Sequence, residues 1–427
     1  MRSRFIVSMG VVDLVLLAGS VVLASWVLYG TLLPWNAEQV GTQALPLLGF
    51  LMLAALGSSA ILLTMSGPGV PRPSYGRGTA MVMATLSATA LMVLATRVYF
   101  SRSLLLVTVA VWALLVIVHR AVRRRRPWIE PMVVFSSDQE MVAELRRAPH
   151  AEVLAVIDPS SHPDQQPLDP RATLVVDMAV AHSPAVAGLV SGHDLAGRVV
   201  KPLASVYEEH TERVPLPRLV EDWQMTSTLQ RVRNWLWGKR LFDLAAVIIT
   251  MPVWLLMAAL VSIAVRVFSP GPVLFRQTRV GKGGRLFTIY KFRTMRSDAE
   301  AGGPRFAEVD DPRLVRGGAF LRRYRLDEIP QLWNVLKGDM SLVGPRAEQA
   351  PFVEEFSREI PFYSLRHLMR PGVTGWAQTN AAYAADLEGT VRKLTYDLYY
   401  IKHVSPLLDL RILWASVWTV VTGSGSR

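Results

Sequence analysis

Arg322-Arg323-Tyr324-Arg325-Leu326-Asp327-Glu328-Ile329-Pro330-Gln331-Leu332-Trp333-Asn334-Val335-Leu336-Lys337-Gly338-Asp339 reads as a short helix. Pro330 suits a first helical turn, where its missing N–H costs nothing. Ile329, Leu332, Trp333 and Leu336 supply an apolar stripe, and Gly338 a C-terminal stop. Asp327 and Glu328 then stand at the helix N-terminus, with Arg322, Arg323 and Arg325 just upstream. Free N–H groups and the positive end of the helix dipole favour phosphate there and keep a carboxylate ionised. Two readings fit this stretch: Asp327 as an ordinary N-cap, or the carboxylate pair as the chemistry of a phosphate site.

The flanking sequence is soluble and basic. Residues 273–279 and 285–290 read as strands joined at Gly281-Lys282-Gly283-Gly284, a hairpin turn. Lys291-Phe292-Arg293-Thr294-Met295 follows directly. Further on come Gly344-Pro345-Arg346, Arg370-Pro371-Gly372-Val373-Thr374-Gly375 and Tyr396-Asp397-Leu398-Tyr399-Tyr400. Single cations are ordinarily solvated surface. Several compact Pro/Gly turns that each present an arginine point instead to a site that clamps phosphates bidentately.

Upstream, Lys239-Arg240-Leu241-Phe242-Asp243 opens an apolar segment that runs to Arg266 with Pro252 near its middle. The proline removes one backbone bond and crowds the carbonyl of Ile248, bending the helix, and Thr250 is placed to satisfy part of the freed backbone. Basic residues flank both ends. A segment that bends at Pro252 and re-emerges on the same face keeps both flanks inside; a kinked span is the alternative. Four further apolar runs open the chain, at 7–30, 44–65, 79–96 and 103–118, close to the roughly 20 residues a spanning helix needs. Arg2 and Arg4 before them and Arg123–126 after them place both ends on the cytoplasmic side. The uncharged connection 31–43 fits the outside, and 66–78, with Arg72 and Arg77, the inside; Arg97 and Arg102 run against the pattern. Asp13, inside the first run, reads as a snorkelling or helix-packing acid.

Composition agrees with a membrane protein: 51% of residues are apolar and 19% charged. Lys+Arg 46 against Asp+Glu 34 gives +12, a surplus that serves anionic headgroups or phosphorylated substrates. Much of it lies beside apolar segments or in the motifs above, so nucleic acid is not an expected partner. With 0 Cys there is no disulfide, thiolate chemistry or Cys-ligated zinc. Between the membrane elements, 132–135, 153–157, 173–177 and 198–200 read as strands and 138–147 as a helix, a small parallel α/β layer. Its first strand ends in Ser136-Ser137-Asp138-Gln139, without the glycines that let a pyrophosphate approach, so it reads as a nucleotide-fold relic serving assembly or regulation.

In this order, the motifs from Lys239 to the C-terminus resemble the bacterial sugar transferase family, the monotopic phosphoglycosyl transferases. They are Lys239-Arg240…Asp243, the segment from Lys291 to Met295, Leu326 to Leu332, Lys337-Gly338-Asp339-Met340-Ser341, Gly344-Pro345-Arg346 and Arg370 to Gly375. The four-span start and degenerate α/β segment resemble the longer members, the polyprenyl-phosphate sugar-phosphate transferases that initiate surface polysaccharides. The resemblance implies an α-helical membrane domain (1–127), a degenerate Rossmann-like α/β domain (128–225) and an α+β catalytic domain (226–427) with a re-entrant membrane helix (239–266) bent at Pro252. The apolar stretch 404–421 carries Asp409 and Arg411, and is expected to lie on the membrane as an interfacial helix rather than to span it.

The resemblance also implies transfer of a sugar 1-phosphate from a nucleoside diphosphate sugar, taken as a UDP-sugar, to polyprenyl phosphate, with release of a nucleoside monophosphate. It implies Asp327 as nucleophile, Mg2+ held by Asp327 and Glu328, and substrate contacts from Lys239, Arg240, Lys291, Arg293, Arg322, Arg346, Arg370 and Asp397. The expected setting is the cytoplasmic face of a bacterial inner membrane, with the lipid bilayer and a second copy of the chain (a homodimer) as candidate partners. The chemistry is sensible: a carboxylate can attack phosphorus and hold an acyl phosphate, and arginines neutralise phosphoryl charge. The chain departs from the family at Met251-Pro252, where Ser-Pro is usual, and at Arg346-Ala347, where a second proline is usual; its α/β segment is also short. An ordinary sugar transferase would instead release a nucleoside diphosphate. An inert scaffold would not need the intact carboxylate pair and its cations.

Overall fold

The computed structural model describes residues 2–38, 44–64, 75–96, 101–125, 129–158, 169–179, 184–216, 233–296, 299, 311–381 and 386–422. Among the basic positions used to orient the membrane domain, Arg72, Arg97 and Arg126 lie outside these residues. The chain divides into two compact units, Met1–Lys201 and Pro202–Arg427.

The first unit opens with four apolar helices, α1 (Arg2–Tyr29), α2 (Ala44–Thr64), α3 (Tyr75–Thr96) and α4 (Arg102–Arg124). Among the described residues, Ser8–Asn36, Gly78–Ala95 and Arg102–Arg124 are long and apolar enough to cross a membrane, and α2 carries the shorter apolar stretch Leu45–Ala60. Leu17, Leu51, Met81 and Trp112 meet in the core of the bundle. Asp13 is a packing acid: its carboxylate accepts both terminal nitrogens of Arg120 at 2.7 and 2.6 Å, and its carbonyl accepts the Trp112 indole N–H at 2.9 Å. Two charges buried in an apolar bundle persist only when paired this closely.

The same unit holds β1 (Glu130–Phe135), α5 (Gln139–Arg147), β2 (Ala151–Ile157), β3 (Thr173–Val176), α6 (Pro184–Leu195) and β4 (Val200–Pro202), with sheet order β2-β1-β3-β4. β1 runs parallel to both neighbours, as the alternation of strand and helix predicts. The turn after β1 is held by its own side chains. Ser136 donates to Asp177 at 2.8 Å and accepts the Asp138 N–H, while Asp138 caps α5 by accepting from the Met141 N–H.

The second unit begins with α7 (Leu203–Thr211), which the sequence reading grouped with the α/β segment. Glu208 accepts Lys402 at 2.9 Å and lies 3.0 Å from the His403 ring, and the Glu212 carbonyl accepts the Trp376 indole at 3.1 Å. There follow α8 (Arg233–Ile249), α9 (Met251–Phe268), the hairpin β5 (Leu274–Val280) and β6 (Leu286–Phe292), and α10 (Gly318–Arg323). Next come α11 (Gln331–Lys337), β7 (Ser341–Val343), α12 (Ala350–Glu359) and β8 (Gly372–Thr374). The unit closes with α13 (Trp376–Asn380), α14 (Leu387–Lys402) and α15 (Pro406–Thr422).

The apolar segment expected to bend at Pro252 is two helices, with the break at Thr250. At the break the Val247 carbonyl accepts the Trp254 indole at 3.0 Å and the Thr250 hydroxyl at 3.4 Å, and the Ala246 carbonyl accepts both the N–H and the hydroxyl of Thr250. α9 is long and apolar enough to cross a membrane; on its packed side Val261 and Val265 meet Phe292 of β6 and Leu321 of α10.

Candidate active site

Asp327 and Glu328 sit on a single 3-10 turn, Leu326–Glu328, entered through Arg325 in a left-handed conformation (φ 50) and followed by α11. The N-cap position of α11 is Pro330, and no side chain caps the helix. The capping role is therefore excluded: the Asp327 carboxylate makes no hydrogen bond or ion pair among the described residues, although the residue is 7% exposed. Of the expected apolar stripe, Ile329, Leu332 and Leu336 pack against buried clusters, and Trp333 does not. Gln331, Asn334 and Val335, three and four apart, face inward, and Trp333, on the opposite side, is 54% exposed. Asn334, fully buried, ties α11 to β6 by accepting the Tyr290 N–H at 3.2 Å and donating to the Thr288 carbonyl at 2.7 Å.

Glu328 is held by three cations. Lys291 donates to Oε1 at 3.1 Å, Arg346 lies 3.5 Å from the same oxygen, and Arg325 lies 3.4 Å from Oε2. Burial opposes its ionisation, but Lys291, Arg346 and Arg325 together outweigh burial and keep the carboxyl well below the usual range. Asp327 goes the other way. Burial, reinforced by the Glu328 charge, raises its carboxyl to about 6 against the pull of Lys291, Arg322 and Arg346. Two adjacent carboxyls pushed in opposite directions are a common sign of divided chemical roles.

Each residue of the segment from Lys291 to Met295 has a distinct contact. Lys291 reaches Glu328, and Phe292, pointing to the opposite face of the strand, enters the apolar cluster under α9. The buried Arg293 donates to the carbonyls of Ser269 (2.6 Å) and Pro270 (3.0 Å), fastening the end of α9 to the sheet. Thr294 accepts Arg322 Nε at 3.2 Å and Met295 sulfur meets Arg322 at 3.5 Å, which aims that arginine toward the acids.

Gly344-Pro345-Arg346 and Arg370 to Gly375 are the two faces of one contact, the short parallel pair β7–β8. A Cβ on Gly372 would lie 2.1 Å from the Gly344 nitrogen, and one on Gly375 would lie 2.2 Å from the Gly344 oxygen, so the backbones approach only as glycines. This fixes the turn that carries Arg346. Two arginines not singled out in the sequence hold it further: Arg366 donates to the Arg346 carbonyl at 3.2 Å and Arg279 to the Ala347 carbonyl at 3.1 Å. Arg366 also donates to Tyr363 at 2.5 Å and to Asp397 at 2.8 Å. Asp397 is thus engaged in a buried pair that supports Arg346, and burial, only partly offset by Arg366, raises its carboxyl to about 6.

The remaining expected substrate cations lie at the other end of α11. Arg240 donates to the Val335 and Leu336 carbonyls at 2.6 and 3.0 Å, and Arg370 to the Gly338 carbonyl at 2.9 Å. Lys239 pairs with Asp409 at 2.9 Å, and Asp243 accepts the Ser341 hydroxyl at 2.7 Å. The structure therefore gathers Asp327, Glu328, Lys291, Arg322 and Arg346, and places Lys239, Arg240, Arg370, Arg293 and Asp397 on structural partners around that group. Asp409, which argued against a spanning α15, is buried within the protein by Lys239 and the Tyr400 hydroxyl (2.7 Å). Arg411 pairs with Glu212 and lies 4.7 Å over the Trp376 ring. Trp414 and Val417, 75% and 58% exposed, leave an apolar face on α15.

Among the described residues no cluster of three or more His, Asp or Glu side chains is arranged to hold a metal. The donor set nonetheless fits Mg2+, which takes one or two protein carboxylates and completes its shell with water and substrate phosphates. The unengaged Asp327 carboxylate and the neighbouring Glu328 are the residues that would hold it.

The second unit thus combines an apolar helix long enough to cross a membrane with a buried carboxylate pair ringed by cations. Residues 234–423 match the family model for bacterial sugar transferases. The chain is 49% identical over 189 residues to a UDP-N-acetylgalactosamine-undecaprenyl-phosphate N-acetylgalactosaminephosphotransferase of Aeromonas hydrophila, covering 44% of this chain and 45% of that protein. It is 45% identical over 171 residues to a UDP-glucose:undecaprenyl-phosphate glucose-1-phosphate transferase of Xanthomonas campestris, covering 39% of this chain and 35% of that protein. It is 40% identical over 194 residues to the exopolysaccharide production protein PSS of Rhizobium leguminosarum, covering 43% of this chain and 95% of that protein. The chain belongs to the bacterial sugar transferase family. The match spans less than half the length of the Aeromonas and Xanthomonas relatives, and nearly all of the Rhizobium one.

Proposed function

We propose that this protein transfers a sugar 1-phosphate from a UDP-sugar to polyprenyl (undecaprenyl) phosphate, the first membrane step of exopolysaccharide, capsule or O-antigen synthesis. The observation that carries the reading is the Asp327 carboxylate, buried and without a partner among the described residues, beside a Glu328 whose charge is matched by three cations. The names of the relatives support the substrate classes.

In the proposed route an Asp327 oxygen attacks the phosphorus that bears the sugar. The bond from that phosphorus to the bridging oxygen breaks, and the nucleoside monophosphate leaves with the electron pair. A phosphate oxygen of the polyprenyl acceptor then attacks the same phosphorus and the carboxylate leaves, giving polyprenyl diphosphate sugar. Arg322 and Arg346 orient the diphosphate and neutralise its developing charge, and Lys291 keeps Glu328 ionised. Bound Mg2+ would offset phosphate charge.

The donor is cytoplasmic, so the reading places Asp327 on the cytoplasmic face of the inner membrane, with α8 and α9 entering and leaving the bilayer on that side. α15 then lies along the interface through Trp414 and Val417. The test is incubation of the purified protein with polyprenyl phosphate and a panel of UDP-sugars. Release of UMP is expected; release of UDP would point to an ordinary sugar transferase and end this reading.

A further inference from the structure

We propose that the second unit has another phosphate-binding site, in the cavity at the C-terminal end of α11. Lys239, Arg240, Asp243, Lys282, Leu368 and Arg370 are among the residues that line it. From Asp327, at the other end of the helix, it is separated by the seven residues of α11, about 10 Å of helix rise. It is thus a separate locus from the carboxylate pair, and the inference does not depend on the transfer chemistry proposed above.

The charges in the cavity do not balance. Lys239 and Asp243 both have partners in the fold: Lys239 pairs with Asp409, and Asp243 accepts from Ser341 and from the Leu342 N–H. Among the described residues Arg240 and Arg370 are bound only to main-chain carbonyls at the end of α11, and neither faces a carboxylate within ion-pair distance. Both guanidinium groups are drawn to that one helix end, where like charges repel. Gly338 makes the convergence possible: it lies at φ 92, and a Cβ there would meet Arg240 at 3.3 Å. The ammonium of Lys282, at the tip of the β5–β6 hairpin, has no hydrogen bond or ion pair among the described residues.

Three cations around a partly apolar cavity fit a phosphate, whose oxygens accept from two guanidinium groups and an ammonium together and relieve their repulsion. Two sources share this chemistry. One is a membrane lipid headgroup: α8 carries Trp237 and Leu241, 76% and 70% exposed, beside Arg240 and leads directly into the apolar α9. The other is a soluble phosphate.

The test is native mass spectrometry of the full chain in detergent, titrated separately with dioleoyl phosphatidylglycerol and with inorganic phosphate. Saturable binding of one equivalent is expected, weakened about tenfold in Arg370→Gln and severalfold in Lys282→Gln, since a charge-assisted contact is worth about 1.5–3 kcal/mol. Lys282 is exposed on a hairpin tip, so its variant keeps the test open if Arg370→Gln misfolds. Weakening of the lipid adduct alone assigns the site to a headgroup, and weakening of the phosphate adduct alone to a soluble phosphate. Unchanged binding of both ligands in Lys282→Gln and in every folded variant, or no saturable binding by the unaltered chain, overturns the site.

Discussion

Replacing Arg366 with methionine tests how the site is held together. The side chain is 6% exposed, donates to Asp397, Tyr363 and the Arg346 carbonyl, and is the ion-pair partner of an equally buried Asp397. Methionine fills much of the volume but leaves Asp397 alone. Breaking one side of a buried pair costs about 3–5 kcal/mol. For a unit of 226 residues, Pro202–Arg427, that corresponds to a fall in melting temperature of about 6–20 °C. The pH dependence has a definite sign. Burial already raises the Asp397 carboxyl to about 6, above the roughly 3.9 of an unfolded chain, and loss of Arg366 raises it further. A carboxyl raised on folding disfavours the folded state increasingly as pH rises through that interval, and the deficit is relieved below it. The variant should therefore lie furthest below the unaltered protein at pH 8 and approach it near pH 5. Arg366→Met with Asp397→Leu should recover most of the loss, because an apolar pair leaves no buried charge. Melting curves in detergent across this pH range provide the assay. A melting temperature within about 2 °C of the unaltered protein at pH 8, or a deficit that grows toward pH 5, would refute the buried-pair account.

Two further outcomes follow from the same geometry. In the proposed route Asp327 attacks as the carboxylate, and its carboxyl is raised to about 6, so turnover should fall as pH drops through that value. Lys291→Met should move this acidic limb up, and Glu328→Gln should move it down, each by about one pH unit or more; limbs that stay fixed or move together contradict the assignment. A cysteine introduced at Gly283 should label only from the cytoplasmic side, a clean test in a chain with 0 native Cys, and exclusive external labelling would end the re-entrant arrangement.

Much of this site is legible in the sequence because its residues have few alternatives. Gly344, Gly372 and Gly375 must be glycines where two backbones touch, and the motifs built on them stand out for that reason. Asp327 and Glu328 are visible as an acidic pair in basic surroundings, and Thr250 as a polar neighbour of a proline in an apolar helix. What the sequence does not separate is a cation that faces ligand from one that holds a carbonyl. Arg293 carries the same motif character as Arg346, yet it donates to main-chain oxygens at the end of α9. Lys239 and Asp397 look like site groups until their partners Asp409 and Arg366, 170 and 31 residues away, come into contact. Arg366 and Arg279 carry no local signal, because their task is set by a turn elsewhere in the chain. Trp333 misleads through its size: the helix buries Asn334 and Val335 instead, since the edge of β6 offers main-chain groups for an amide to pair with.

The central claim is that Asp327 is the nucleophile, and capture of the covalent intermediate tests it most directly. The purified protein is given UDP-sugar and Mg2+ without polyprenyl phosphate, quenched, digested and examined by mass spectrometry. The account predicts a phosphosugar on the peptide that contains Asp327, with one equivalent of UMP released per active site, and neither product from Asp327→Asn. Full turnover with acceptor by Asp327→Asn, or UMP release that always requires acceptor and leaves no adduct, would contradict it.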